Sequence, residues 1–133
     1  MIDRLPETMR AAHFAAPGGP EVIQEVKVPV PQPGPGEVLV KVAFAGVNRP
    51  DVIQRQGFYP PPPGASPLLG LEVSGEIVAV GDGVDPSRIG QRICALTPGG
   101  GYAEFCRVPA GHCLPVPDGL PLDQAAALPE TLF

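Results

Sequence analysis

Short apolar segments separated by Pro and Gly predict a chain built mainly from strands. The strongest pattern covers residues 37–45, where every second residue from Val38 to Phe44 is predicted to lie on one face of a strand. Residues 22–28 alternate between apolar and polar, as a half-buried strand does. The other predicted strands cover residues 9–14, 72–80, 91–96, 102–108 and 113–116.

Two segments carry helical patterns. Residues 50–56 predict a short helix, because Pro50 suits its first position and Gly57 suits the residue just past its end. A second helical pattern begins at Pro121. Strands do not alternate with long helices, so we expect a mainly β fold with short helices, organised as a partly open β-barrel rather than a doubly wound sheet.

Composition and charge narrow the possible functions. The chain has 133 residues, one domain's length, and its 20 prolines and 17 glycines fall between apolar runs. A net charge of −5 without a Lys/Arg cluster argues against nucleic acid and membrane partners. Three irregularly spaced cysteines do not suggest a disulfide framework, and the first residues do not resemble a signal peptide. We therefore expect a cytoplasmic protein.

A series of short motifs lies after residue 8 in a fixed order. The most informative are Gly46-Val47-Asn48-Arg49-Pro50-Asp51 and Leu69-Gly70-Leu71-Glu72-Val73-Ser74-Gly75. The others lie at residues 9–11, 19–22, 36–42, 54–62, 98–104 and 124–130. Together they resemble the medium-chain dehydrogenase/reductase superfamily, in particular its zinc-free quinone oxidoreductase branch, which includes zeta-crystallin and the p53-inducible quinone oxidoreductase.

The resemblance implies a domain organisation. Residues 9–133 would form the GroES-like catalytic domain, preceded by an N-terminal extension at residues 1–8. A Rossmann domain normally comes next in that family, but neither Gly99-x-Gly101 nor Gly81-x-Gly83 continues as the G-x-G-x-x-G loop that holds a dinucleotide. We therefore expect a catalytic domain truncated near the junction, inactive alone, from an enzyme that forms a homodimer.

The same resemblance implies the chemistry. Zinc enzymes of the superfamily carry a Cys near Asn48 and a His at Leu71, whereas an amide and an isobutyl group do not ligate zinc. The predicted function is thus zinc-independent hydride transfer from NADPH to a quinone or related conjugated carbonyl. Two alternatives stay open: an enoyl reductase on the same scaffold, and a non-enzymatic GroES-like module.

Three residues are predicted to form the site. Asn48, a catalytic and cofactor-binding candidate, offers a donor and an acceptor to the nicotinamide or its ribose, although Asn also suits a helix cap. Tyr59, the second catalytic candidate, would contact quinone and cofactor, or else pack on the neighbouring prolines. Asp51 suits the first turn of a helix, and the resemblance adds a cofactor contact. Glu72 is expected to be a structural hydrogen-bond acceptor.

Overall fold

Two antiparallel sheets form the fold in the computed structural model, which describes residues 5–57 and 66–127. A five-stranded sheet has the order β6-β3-β4-β5-β7, and β1 pairs with β2 in a separate hairpin. The strands are β1 (Thr8–His13), β2 (Gln24–Pro29), β3 (Glu37–Ala45), β4 (Glu72–Val80), β5 (Arg92–Leu96), β6 (Phe105–Pro109) and β7 (Cys113–Pro115). The helices are α1 (Arg49–Arg55) and α2 (Leu122–Ala125).

The hairpin is joined to the larger sheet by a bridge between Ala11 and Ala103. Three short 3-10 turns complete the described structure, at Pro20–Val22, Pro86–Arg88 and Ala110–His112. The predicted mainly β fold, a partly open barrel with short helices, is confirmed.

The core lies on both faces of β3. Val38 and Val40 are fully buried on the barrel side. Leu39 is fully buried on the other side, where Met9 of β1 packs against it. Burial on both faces explains why β3 reads as a nearly continuous apolar run rather than as a clean alternation.

One face assignment made from the sequence is wrong. Phe44 was expected on the same face as Val38 and Val40, but the pairing of β3 with β4 shifts register between Val42 and Phe44. An irregularity of this kind adds one residue to a strand and so reverses the facing of the residues beyond it. Phe44 is therefore 48% exposed.

Two strands start two or more residues later than predicted. The segment predicted to begin at residue 22 enters β2 only at Gln24, because Pro20–Val22 form a 3-10 turn. The strand predicted to begin at residue 102 starts at Phe105. Both shifts come after a Pro- or Gly-rich stretch, where local turn formation competes with strand pairing.

Both predicted helices are present. Asn48 is the N-cap of α1, and Gly57 has a positive φ of 92° just past its end. Ala125 of α2 is fully buried beside Cys94 of β5 and Val116. No helix among the described residues is both long and apolar enough to cross a membrane.

Candidate functional site

The Asp51 carboxylate joins three segments that are distant in sequence. Its Oδ2 accepts hydrogen bonds from the Tyr102 hydroxyl at 2.7 Å and from the Asn48 backbone N–H at 3.0 Å. Its Oδ1 accepts from the Gly70 backbone N–H at 3.2 Å. The residue is only 3% exposed. A buried carboxylate requires donors of this kind, so we call Asp51 and these three partners the Asp51 hub.

Local sequence places Asp51 at the centre of the hub. It is the third residue of α1, and its own N–H donates to the Asn48 carbonyl at 3.1 Å. A carboxylate in the first turn of a helix is favoured by the helix dipole, and its bond back to the N-cap N–H fixes the angle at which the chain enters the helix. The structural role expected for Asp51 is confirmed, while its cofactor contact stays a prediction.

A second contact links the start of α1 to the start of β4. The Asn48 carboxamide Nδ2 donates to Glu72 Oε1 at 2.9 Å, and the Gly46 N–H donates to the Glu72 carbonyl at 3.1 Å. A side chain at Gly46 would collide with the Glu72 carboxylate. Glu72 is 3% exposed. Its expected role as a structural acceptor is confirmed.

Close backbone packing brings Tyr102 to the hub. Gly101 N–H donates to the Gly70 carbonyl at 3.1 Å, and Tyr102 N–H donates to the Leu69 carbonyl at 3.0 Å. Gly70 has a φ of 107°, and a Cβ there would lie 2.6 Å from the Gly101 Cα. The two glycines therefore let the loops approach closely enough for Tyr102 to reach Asp51.

Tyr102 is a permanent donor in this arrangement. Burial raises the pKa of its phenol well above the ordinary value, and the hydrogen bond to Asp51 and the charges of Asp51 and Glu72 raise it further. The phenol therefore stays protonated at neutral pH. Sequence reasoning placed Tyr102 in a strand and missed this role; its one signal is a polar aromatic directly after three glycines.

An open cleft of about 540 Å³ borders the hub. Its lining residues include Ile23, Gln24, Phe44, Ala45 and Tyr102. Neither Asn48 nor Leu71 is among its lining residues. Two hydrogen bonds, both to Asp51 Oδ2, connect the Asn48 backbone to Tyr102, which lines the cleft.

The remaining positions singled out from the sequence are Asn48, Leu71 and Tyr59. Asn48 and Leu71 are both half-buried, and Asn48 contacts Glu72, the residue directly after Leu71. Tyr59 lies outside the described residues. Val47, next to Asn48, is 77% exposed and leaves an apolar side chain at the surface.

The potential metal ligands are dispersed. Within residues 5–57 and 66–127, no three His, Cys, Asp or Glu side chains are grouped so as to hold a metal ion. His112 lies exposed in a 3-10 turn, while Cys113 is buried at the start of β7. Burial raises the pKa of Cys106 and of Cys113 to about 11, so both thiols are protonated at neutral pH.

Comparison with known proteins supplies the family. Residues 34–118 match the model of the alcohol dehydrogenase GroES-like domain. The chain is 40% identical over 116 residues to a quinone oxidoreductase of Pseudomonas aeruginosa, covering 86% of this chain and 35% of that protein. The chain thus spans about a third of the length of the quinone oxidoreductases it matches.

Solved structures share the fold. The human synaptic vesicle membrane protein VAT-1 homolog-like protein superposes with a TM-score of 0.82 at 34% identity, over 90% of this chain and 39% of that one. A mycobacterial protein solved in complex with NADPH superposes with a TM-score of 0.78 at 39% identity, over 89% of this chain and 37% of that one.

Proposed function

Because this chain belongs to the alcohol dehydrogenase GroES-like domain family, within the medium-chain dehydrogenase/reductase superfamily, we propose that it is the catalytic domain of an NADPH-dependent, zinc-independent quinone oxidoreductase. Bound NADPH would supply a hydride, and a proton from solvent would complete reduction of the quinone. The contribution of this chain would be to position and enclose the reacting ends, and holding reactants in the right geometry can supply a large part of a rate acceleration.

The main support for this function is the fixed orientation of the Asn48 carboxamide. Its bond to buried Glu72 sets the orientation of the side chain, and the residue stays partly exposed. A fixed amide suits recognition of a nicotinamide carboxamide or a ribose hydroxyl. The two buried carboxylates of Asp51 and Glu72 make this region unfavourable for phosphate groups, so the residues fit the nicotinamide end of the cofactor and not its pyrophosphate.

Apolar surface beside Asn48 suits both the nicotinamide ring and an aromatic acceptor. Val47 is 77% exposed and Phe44 is 48% exposed. Large apolar side chains at the surface next to a fixed polar group are typical of sites for flat organic ligands. The residue types at Asn48 and Leu71 do not supply zinc ligands, which supports zinc-independent chemistry.

The activity test uses the complete protein that contains this chain. NADPH oxidation is measured with a quinone acceptor and, in parallel, with an enoyl thioester. We expect turnover with the quinone that is unchanged after dialysis against a chelator. Turnover only with the enoyl thioester would reassign the enzyme as an enoyl reductase, loss of activity on metal removal would exclude zinc independence, and no NADPH oxidation would favour a non-enzymatic module.

The Asn48 role is tested by NADPH affinity. Asn48→Ala and Asn48→Ser both remove the carboxamide, but Ser is a good helix N-cap and Ala is not. If Asn48 contacts the cofactor, both variants should weaken binding by about tenfold, as expected for loss of about 1.4 kcal/mol. Full affinity in Asn48→Ser with weakened affinity in Asn48→Ala would assign Asn48 to helix capping alone.

Tyr59 is proposed to contact the quinone through its hydroxyl. Tyr59→Phe keeps the ring and removes only the oxygen. We expect a lower kcat/KM for the quinone with little change in NADPH affinity. Equal turnover would leave Tyr59 with a role in shape only.

A further inference from the structure

We propose that Tyr102 is a positioning residue of the reductase site, which acts through the Asp51 carboxylate to hold the start of α1 and the start of β4 at a fixed spacing. The inference rests on the proposed function, since the residues held in place are those that border the cofactor end. It assigns a role to a side chain that the sequence presents only as part of a strand.

The contact to Tyr102 is the shortest in the Asp51 hub. The phenol donates at 2.7 Å, compared with 3.0 Å from the Asn48 N–H and 3.2 Å from the Gly70 N–H. An O–H···O bond is ordinarily shorter than an N–H···O bond, and the charge of the shared acceptor strengthens all three. Without the phenol, a carboxylate that is 3% exposed would lose its shortest donor and would have to move toward solvent or toward its remaining donors.

Movement of Asp51 would be transmitted directly to the site. Its two carboxylate oxygens bond the backbone of Asn48 on one side and of Gly70, which precedes Leu71, on the other. The Asp51 carboxylate therefore links Asn48 directly to Gly70, in addition to the contact between Asn48 and Glu72. Tyr102 in turn is held by the Leu69 carbonyl and by the Gly70–Gly101 contact, so it forms a rigid support.

The chemistry of Tyr102 favours positioning over proton transfer. Its pKa is raised by burial first and then by the adjacent carboxylates, so the phenol is a poor acid at neutral pH. Its proton is also directed at Asp51 rather than into the cleft. Tyr102 nevertheless lines the cleft together with Phe44. The same residue therefore holds Asp51 through its hydroxyl and forms part of the cleft wall.

The test uses Tyr102→Phe in the complete protein, with Ser74→Ala as the matched control. The hydroxyl of buried Ser74 also donates one hydrogen bond, to the Leu122 carbonyl, but outside the Asp51 hub. Tyr102→Phe should accelerate amide hydrogen exchange of Asn48 and Gly70 by about tenfold or more and raise the NADPH dissociation constant by about fivefold. Ser74→Ala should leave both quantities unchanged.

A double-mutant cycle tests the route of action. If Tyr102 acts through Asp51, adding Tyr102→Phe to Asp51→Asn should change exchange and affinity much less than it does in the wild type. Additive effects, or unchanged exchange at Asn48 and Gly70 in Tyr102→Phe, would overturn the proposal. If the Phe variant does not fold, Tyr102→Gln retains a donor and is expected to keep slow exchange at both amides; fast exchange there would overturn the proposal as well.

Failure of the proposed function is a separate outcome. A wild-type protein that does not reduce quinones would remove the reductase assignment. Hydrogen exchange would still decide whether Tyr102 controls the spacing of Asn48 and Gly70, because that measurement needs neither substrate nor cofactor.

Discussion

Asn48 and Glu72, which are 24 residues apart in the chain, are joined by a 2.9 Å hydrogen bond between a carboxamide nitrogen and a carboxylate oxygen. The contact fixes the corner before α1 against the first residue of β4. Because Glu72 is 3% exposed, it also requires a donor rather than a second acceptor at position 48.

Asn48→Asp should therefore destabilise the protein at neutral pH by on the order of 2 kcal/mol, more than Asn48→Ala, because two carboxylates would share one buried site. Their repulsion raises the folded-state pKa of one carboxyl above its unfolded value. The stability lost at pH 7 should consequently return as the pH falls toward 5. Urea unfolding at the two pH values measures this.

The surface substitution Gln32→Glu is the control for that experiment, since Gln32 is exposed. It adds the same charge and should change stability by less than about 0.5 kcal/mol at either pH. Equal behaviour of the two variants would mean that Glu72 is not confined beside Asn48.

Gly70→Ala should lower stability by about 2 kcal/mol or more. The residue has a φ of 107°, and the added Cβ would lie 2.6 Å from the Gly101 Cα and from the Tyr102 nitrogen, both backbone atoms. Gly111→Ala is the matched control, because nothing lies within 4 Å of its Cβ position. Chemical denaturation of both variants measures the difference, and a Gly70→Ala protein as stable as Gly111→Ala would contradict the observed loop contact.

The three cysteines should be unreactive toward a thiol-specific disulfide reagent in the native protein. Cys94 and Cys106 are each 2% exposed and Cys113 is 8% exposed, and burial raises the pKa of every one of these thiols. We expect full labelling in denaturant and labelling slowed by at least about a hundredfold without it, limited by opening of the fold. Rapid labelling of any cysteine in the native protein would show that the part of the core around that cysteine opens readily.

Alkaline pH should destabilise the fold through the same thiols. The folded-state pKa of Cys106 is raised to about 11 from an ordinary 9.0, so its contribution is complete below pH 9 and is lost as the pH rises through 11. The loss is on the order of 2 kcal/mol for this thiol. Cys106→Ala should lower the free energy of unfolding at neutral pH but reduce the fall in that free energy between pH 9 and 11. Denaturation at several pH values measures this. If the fall is the same in the variant, groups other than Cys106 cause it.

Much of the secondary structure can be predicted from the sequence, because it depends on local periodicity and on Pro and Gly. The boundaries of β3 at Glu37–Ala45 and β4 at Glu72–Val80 are as predicted, since long β-branched runs leave little choice of conformation. The helix that begins after Asn48 is likewise determined by Pro50 and Gly57. The order of the motifs was sufficient to identify the family.

The facing of Phe44 was decided only by tertiary structure. A register shift arises from the pairing of β3 with β4, and no residue near Phe44 signals it. Periodicity assigns a side to each residue only while the pairing stays regular, so the last residues of β3 were placed on the wrong face.

The residue types of the site were readable from the sequence, but their partners were not. An Asn before a helix, an acid in its first turn and an acid at the start of a strand are local signals. That Tyr102 donates to Asp51, 51 residues away, depends on how closely Gly70 and Gly101 let two loops approach. The sequence by itself determined which groups carry the polar chemistry, and the packing of distant loops decided which of them meet, because a hydrogen bond depends on distance in space and not on separation along the chain.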